Sequence, residues 1–431
     1  MTRAAALPEW PRPRTEREGD RLAFGALLVF TVILILAPQS FLPALAPLRI
    51  ALLTALIAAG SYLVPRLLLN RPITIGVPEV RLGAALGAWA LATIPLSLWP
   101  GGSWGVFAGS FFKTLVISWL LCNVVTTATR LRRVFVLLTL IAVPLAATAF
   151  HQYTSGTFLK GGPADAATRI KGYEGALTSN PNDLALMLNV ILPLTIALAA
   201  SPKPPLPRIV LVAIAAATAA GVVLTFSRSG FLALAAVLAL WMMRLKGRLF
   251  LEVALVAAAG LLALIPVLPS GYTRQLATIT NTQADATGSA GERMRDMTAA
   301  ASYAMSHPIV GAGLGNSTLA LNEVRGTTWR KVHNVYLELA VELGLPGALL
   351  FVFLLRAALK SAAKARDLSR GPRGDPEVAA LSDGILVSLW GFVVGSIFHP
   401  VSYHLYFYYL AALAVAAHGI ARRALPEEVQ A

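Results

Sequence analysis

Apolar residues gather into twelve runs, at 22–38, 44–64, 82–99, 109–127, 134–150, 183–200, 208–225, 230–243, 249–268, 345–358, 380–398 and 401–420. A helix needs about 20 apolar residues to cross a hydrocarbon layer, and most of these runs approach that length. The eighth and tenth are short. The period-two alternation of a membrane barrel is absent. The pattern predicts an all-α, polytopic integral membrane protein with about 12 transmembrane helices. Five segments follow. Residues 1–21 form an N-terminal segment, and 22–268 hold helices one to nine with a loop at 151–182. Residues 269–344 form a large, partly helical loop with interfacial helices, 345–420 hold helices ten to twelve, and 421–431 form a tail.

Charge orients the pattern, because Lys and Arg collect on the cytoplasmic side of short connections. With the N-terminus inside, 24 of the 36 cationic residues fall on inside segments. Both termini are then cytoplasmic. Three short outside connections, 39–43, 100–108 and 399–400, carry no cation. The fourth, "FSRSG", carries Arg228. Insertion does not require that arginine. Its bland reading is a side chain reaching lipid phosphate from a helix end; its functional reading is a ligand contact. The two long outside loops, 151–182 and 269–344, are largely exempt from the charge rule, so their cations carry less information.

Composition agrees with a membrane protein. The chain is 56% hydrophobic and 13% charged, with a net charge of +15. That charge reads as topology rather than nucleic-acid binding. The single cysteine, Cys122, excludes an intramolecular disulfide and a Cys-based metal site. The N-terminal apolar run follows a polar, Pro/Arg-rich segment without a small-residue cleavage site, which predicts a retained helix rather than a signal peptide.

The polar outside residues form a candidate site. Arg169 lies in "TRIKGYEGALTSNPND", Arg228 in "FSRSG", Arg293 and Arg295 in "GSAGERMRD", and His333 in "RKVHNVYLELAVELGLPG". Three separate outside segments thus bring arginines to one face. Guanidinium forks suit phosphate or pyrophosphate and stabilise charge developing on a leaving group. Imidazole titrates nearest neutrality, which makes His333 a candidate base. Arg293 and Arg295, at spacing two, point to different faces of an amphipathic stretch, and Arg293 is favoured for the site. Asn334 and Tyr336 beside His333 are further candidates. His399 competes as base. His307, His418 and His151 lie elsewhere.

Other local expectations concern structure. Asn182 or Asp183 in "NPND" is expected to cap the sixth span. The Gly-rich "HPIVGAGLGN" at 307–316 offers backbone amides to a sugar or phosphate. "GLPG" at 344–347 breaks an interfacial helix, "NTQADATGSAG" at 281–291 predicts a flexible linker, and "KARDLSRGPRGDPE" reads as a solvated turn. Outside carboxylates are few, with no Asp-x-Asp pair and no histidine pair at metal spacing; no metal site is predicted. No Walker motif is present, so ATP is not indicated.

"RIKGYEGALTSNPNDLALML", "TFSRSGFLAL", "GERMRD…HPIVGAGLGN" and "HNVYLELAVELGLPGALLF", in this order, resemble the O-antigen ligase and polymerase superfamily of membrane glycosyltransferases. The resemblance covers roughly residues 165–355, and its specificity lies in the combination. It implies an inner-membrane enzyme of lipopolysaccharide biosynthesis with a periplasmic active site. The implied donor is O-antigen on undecaprenyl pyrophosphate. In the ligase branch the acceptor is lipid A-core oligosaccharide and transfer is inverting, metal-independent and free of cofactors. By motif, Arg228 corresponds to the arginine of the short periplasmic turn, Arg169 to the one before "NPN", and His333 to the histidine of the "HN" motif. The family often has a simple "GR" where this chain has "GERMRD", which leaves Arg293 or Arg295 for the third arginine. A single large late loop points to ligase over polymerase; polymerisation of O-units and transfer of glycan to protein (a protein O-oligosaccharyltransferase) are the alternatives within the superfamily, and the acceptor decides among them. An anion transporter of the bicarbonate class also fits about twelve spans, but transporters place polar groups near the midplane. Here the charges within apolar runs are sparse; Arg49 and Lys113 are the main candidates, and both lie near the edges of their runs. A structural scaffold would not require Arg228.

Overall fold

The computed structural model describes residues 18–159, 169–175, 177–244 and 289–424, with isolated positions 247, 251, 254, 255 and 259. Apart from those isolated positions, the ninth apolar run, 249–268, lies outside the described residues, as do most of the linker 281–291, 1–17 and 425–431.

The described residues are helical, apart from turns and one isolated antiparallel bridge, Phe158 to Ile170. The principal helices are α1 (Glu18–Leu36), α2 (Ile50–Leu68), α3 (Pro78–Thr93) and α4 (Pro100–Val124). α5 (Ala128–Thr154), α6 (Pro181–Ala200), α7 (Arg208–Leu224) and α8 (Arg228–Met242) follow. The late part of the chain forms α9 (Ser289–Ser306), α10 (Ser317–Arg325), α11 (Val335–Arg370), α12 (Pro376–Ser396) and α13 (Leu405–Arg423). Among the described residues seven helices, α2, α4, α5, α6, α11, α12 and α13, have the length and composition to cross a membrane; α7 and α8 are shorter and apolar. The chain is an integral membrane protein.

Among the described residues helices occupy the other eleven expected runs, with altered ends. α5 extends over both ends of 134–150. α11 continues through the expected solvated turn to Arg370, so the turn shrinks to 371–375. A π turn at Phe107–Phe111 interrupts α4. α11 is broken where "GLPG" predicts: Gly344 has φ 67° and ψ −177°, with Pro346 just beyond. Gly344 is needed there, because an added Cβ would lie 2.2 Å from the Ile309 carbonyl oxygen.

α6, α12 and α13 form the buried centre of the bundle. α11 packs on α3, α12 and α13; α8 packs on α6 and α12; α2 sits at the periphery against α1. Between membrane helices small residues permit close approach and polar groups tie them together. An added Cβ at Gly384 would lie 2.6 Å from the Ala197 Cβ, and one at Gly391 2.6 Å from Val237. Asn189, fully buried on α6, donates to the carbonyls of Ala185 and, across the interface, Gly230, each at 2.9 Å. Ser388 Oγ of α12 donates to Val190 O at 2.6 Å.

The late loop has its own small core. α9 buries Asp296, Ala299, Ala300, Tyr303 and Ala304, a helical stripe at i, i+3, i+4, i+7 and i+8. It packs on α10 and α11. Asp296 pairs with Arg325, and Arg330 pairs with Glu292 and lies 3.6 Å from Asp296. These pairs hold the segment before His333 against α9.

Candidate active site

The stretch "LTFSRSG" builds one wall. α7 ends at Leu224, and Phe226 takes a left-handed conformation, φ 53°, with its ring 1% exposed. Such a conformation is unusual for a bulky residue; burial of the ring offsets its cost. Ser227 then caps α8, its Oγ accepting from Gly230 N at 3.1 Å. Arg228 is therefore the first helical residue of α8 rather than part of a free connection. Gly230 lets α8 approach α6, since a Cβ there would lie 2.6 Å from that of Ala185.

"NPND" builds the second wall. The cap of α6 is Asn180, not Asn182 or Asp183 as expected from sequence. Asn180 Oδ1 accepts from the Asn182 and Asp183 amides at 3.0 Å each. Pro181 explains the shift: proline suits the first helical position, where its missing N–H would have been unpaired anyway, and this puts the cap one residue earlier. Asn182, released from capping, turns its side chain to the site. Its Oδ1 accepts from Arg169 Nη2 at 2.6 Å and Ser227 Oγ at 2.8 Å.

His333 stands at the third wall. Asn334 caps α11 by accepting from the Tyr336 and Leu337 amides at 3.0 Å each. Tyr336 Oη accepts from Ser396 Oγ at 3.1 Å and packs against the end of α12. Both are committed to holding His333 in place. His333 Nδ1 lies 2.9 Å from the Lys331 carbonyl. A carbonyl only accepts, so Nδ1 carries the proton and Nε2 is left as an acceptor. Nε2 makes no hydrogen bond among the described residues.

The electrostatics bring these walls together. Burial lowers the Arg169 guanidinium from its ordinary value to about 10, helped by the charges of Arg293 and Arg228. Its Nε is buried without a hydrogen-bond partner among the described residues. Burial lowers the His333 imidazole to about 4, helped next by Arg293, while the Lys331 carbonyl acts in the opposite sense. Arg293 also depresses His399, after burial and together with Arg169. Arg293 is half-buried and Arg295 exposed, so the face of α9 that meets this cluster carries Arg293. The structure thus gathers Arg169, Arg228, Arg293, His333 and His399, and leaves Arg295 out.

His399 differs from His333. It is 1% exposed, with Nδ1 2.9 Å from Gly395 O and Nε2 3.0 Å from Asn182 O. The neutral ring donates one of these bonds, and no acceptor sugar can reach it. His307 stacks on Tyr303, with ring centroids 4.3 Å apart, away from the cluster.

The Gly-rich segment does not present its amides to a ligand. Ala312 N and Gly313 N donate to the carbonyls of Val341 and Glu342 at 2.7 and 2.8 Å. Gly315 N and Ser317 N donate to the Glu342 carboxylate at 2.6 and 3.1 Å. Gly311, Gly313 and Gly315 all have positive φ, and the segment serves to seat α11. Glu338 accepts from Ser402. Glu338 and Glu342 are thus committed to the scaffold, and among the described residues no cluster could hold a metal ion.

Asn182 is the residue that sequence reading missed as a site member. Its signal was present: an asparagine after a proline that already has a capping asparagine before it is free for other work.

The family model described as O-Antigen ligase matches residues 212–352, a stretch that includes Arg228, Arg293 and His333. No curated protein matches the chain. Over the matched stretch, the chain is similar to the O-antigen ligase family.

Proposed function

We propose that the protein is an O-antigen ligase, a metal-independent inverting glycosyltransferase. It moves a glycan from undecaprenyl pyrophosphate to lipid A-core oligosaccharide at the periplasmic face of the inner membrane. The observation that carries this reading is the gathering of Arg169, Arg228 and Arg293 beside a histidine whose Nε2 is free to accept a proton. Half-buried like charges repel, and an anion of matching charge removes the penalty. A pyrophosphate offers that charge and the oxygens for guanidinium forks.

The chemistry follows from the positions. The donor pyrophosphate lies against the three guanidiniums. An acceptor hydroxyl gives its proton to His333 Nε2 as its oxygen attacks the anomeric carbon. The bond from that carbon to the pyrophosphate oxygen breaks, and the electron pair leaves with the pyrophosphate. One displacement inverts the anomeric centre. The arginines stabilise charge as it develops on the leaving group. Donor binding also prepares the base, because an anion beside Arg293 opposes the depression of the His333 pKa. No cofactor enters, since the donor is already activated. The commitment of Asp296, Glu338 and Glu342 to scaffold contacts supports a metal-free reaction.

Reconstitution with a lipid-linked glycan and separate acceptors tests the reading. Capping of lipid A-core in one step is the expected result. A growing lipid-linked ladder would make the protein a polymerase, and transfer to a polypeptide a protein O-oligosaccharyltransferase. Reporter fusions after residue 228 should read periplasmic and those within 361–375 cytoplasmic; the reverse would place the arginines on the wrong side.

A further inference from the structure

We propose that Asn182 is a donor-positioning residue, whose amide oxygen fixes the Arg169 guanidinium while its Nδ2 faces the same pyrophosphate. This rests on the donor-site reading above. Asn182 joins three segments. Its Oδ1 accepts from Arg169 Nη2 and from Ser227 Oγ, the residue before Arg228, and its main-chain oxygen meets His399 at the end of α12. The orientation of the amide is determined by chemistry. Arginine has no acceptor, so the atom 2.6 Å from Nη2 is oxygen. Nδ2 points away from that pair and makes no hydrogen bond among the described residues.

The fold does not need this side chain to be an amide. Asn180 supplies the helix cap, and the contact with His399 uses the main chain. An aspartate would accept both hydrogen bonds and pair with Arg169 in a site crowded with cations. A purely structural role would therefore favour the acid. The neutral amide holds the guanidinium without neutralising it, which leaves its charge for an incoming anion and adds a neutral donor beside it.

The test uses the full-length protein in detergent, with inorganic pyrophosphate as the binding probe and lipid-linked glycan as the substrate. Asn182→Asp should unfold at the native temperature or higher without ligand, yet bind pyrophosphate at least tenfold more weakly. It should raise KM for the donor more than it lowers kcat. Native-like affinity and KM in that variant would reduce Asn182 to a structural tie and overturn the proposal. If Asn182→Asp does not accumulate, Asn182→Ala decides: weakened pyrophosphate binding at native-like unfolding temperature supports the role, and unchanged binding overturns it. If the native protein itself does not bind pyrophosphate, the donor-site reading fails first and this inference falls with it.

Discussion

Replacing Arg169 by glutamine separates the cost of the arginine from its use. Burial, with Arg293 and Arg228 nearby, lowers the guanidinium from its ordinary value to about 10. That difference corresponds to about 3 kcal/mol against the charged form. Both values lie well above 7, so the group is charged in the folded and unfolded chains at neutral pH. The destabilisation is then present in full, and it disappears only as pH rises through about 10. Glutamine keeps an amide donor for Asn182 Oδ1 but carries no charge. After some loss of contact, the ligand-free variant should be more stable by about 1–3 kcal/mol. Pyrophosphate should reverse the ranking. An anion that binds only the folded state stabilises it by about 2.7 kcal/mol at a hundred times its Kd, and the variant should lose most of that response. The assay is thermal unfolding of matched detergent preparations with and without pyrophosphate, alongside transfer from the lipid-linked donor. A variant that unfolds below the native protein without ligand, and responds to pyrophosphate equally, would refute the reasoning.

Five further outcomes are expected. Arg228→Lys should lose roughly ten- to a hundredfold in donor affinity and transfer, because an ammonium cannot form the guanidinium fork; near-native rates at matched membrane levels would make Arg228 a lipid contact. Arg293→Ala should weaken pyrophosphate binding while Arg295→Ala leaves it unchanged, and the opposite ranking would reassign the third arginine. His333→Ala should lower transfer by about 10²–10⁴-fold with donor affinity retained. In the native enzyme, kcat should decline as pH falls below roughly 6, since bound pyrophosphate lifts the imidazole from about 4 toward its ordinary value; a flat kcat profile from pH 5 to 8 would remove His333 as the base. Excess chelator should leave transfer by the purified enzyme intact, and activity restored by Mg²⁺ or Mn²⁺ would reveal a missed metal site.

The sequence by itself determined the class of the molecule and much of the cast. Apolar run length decides between a soluble core and a membrane bundle, because a backbone in lipid must satisfy its hydrogen bonds within each helix. That requirement is local, so it is written in consecutive residues. The break at Gly344 was legible for the same reason. The convergence of Arg169, Arg228 and Arg293 was legible only as an expectation from topology and resemblance.

Tertiary structure decided what composition leaves degenerate. Arg293 and Arg295 are chemically identical and two residues apart; only the packing of α9 through Asp296, Ala299, Ala300 and Tyr303 exposes one and half-buries the other. The glycines of 307–316 look like a phosphate cradle until α11 is seen to take up their amides. His333 and His399 are equal in sequence, yet burial against two carbonyls encloses His399 while the Lys331 carbonyl leaves His333 Nε2 free. The work of Asn182 depends on Ser227, 45 residues further along the chain. Such contacts arise between segments distant in sequence, and no local pattern encodes which side chain will meet which.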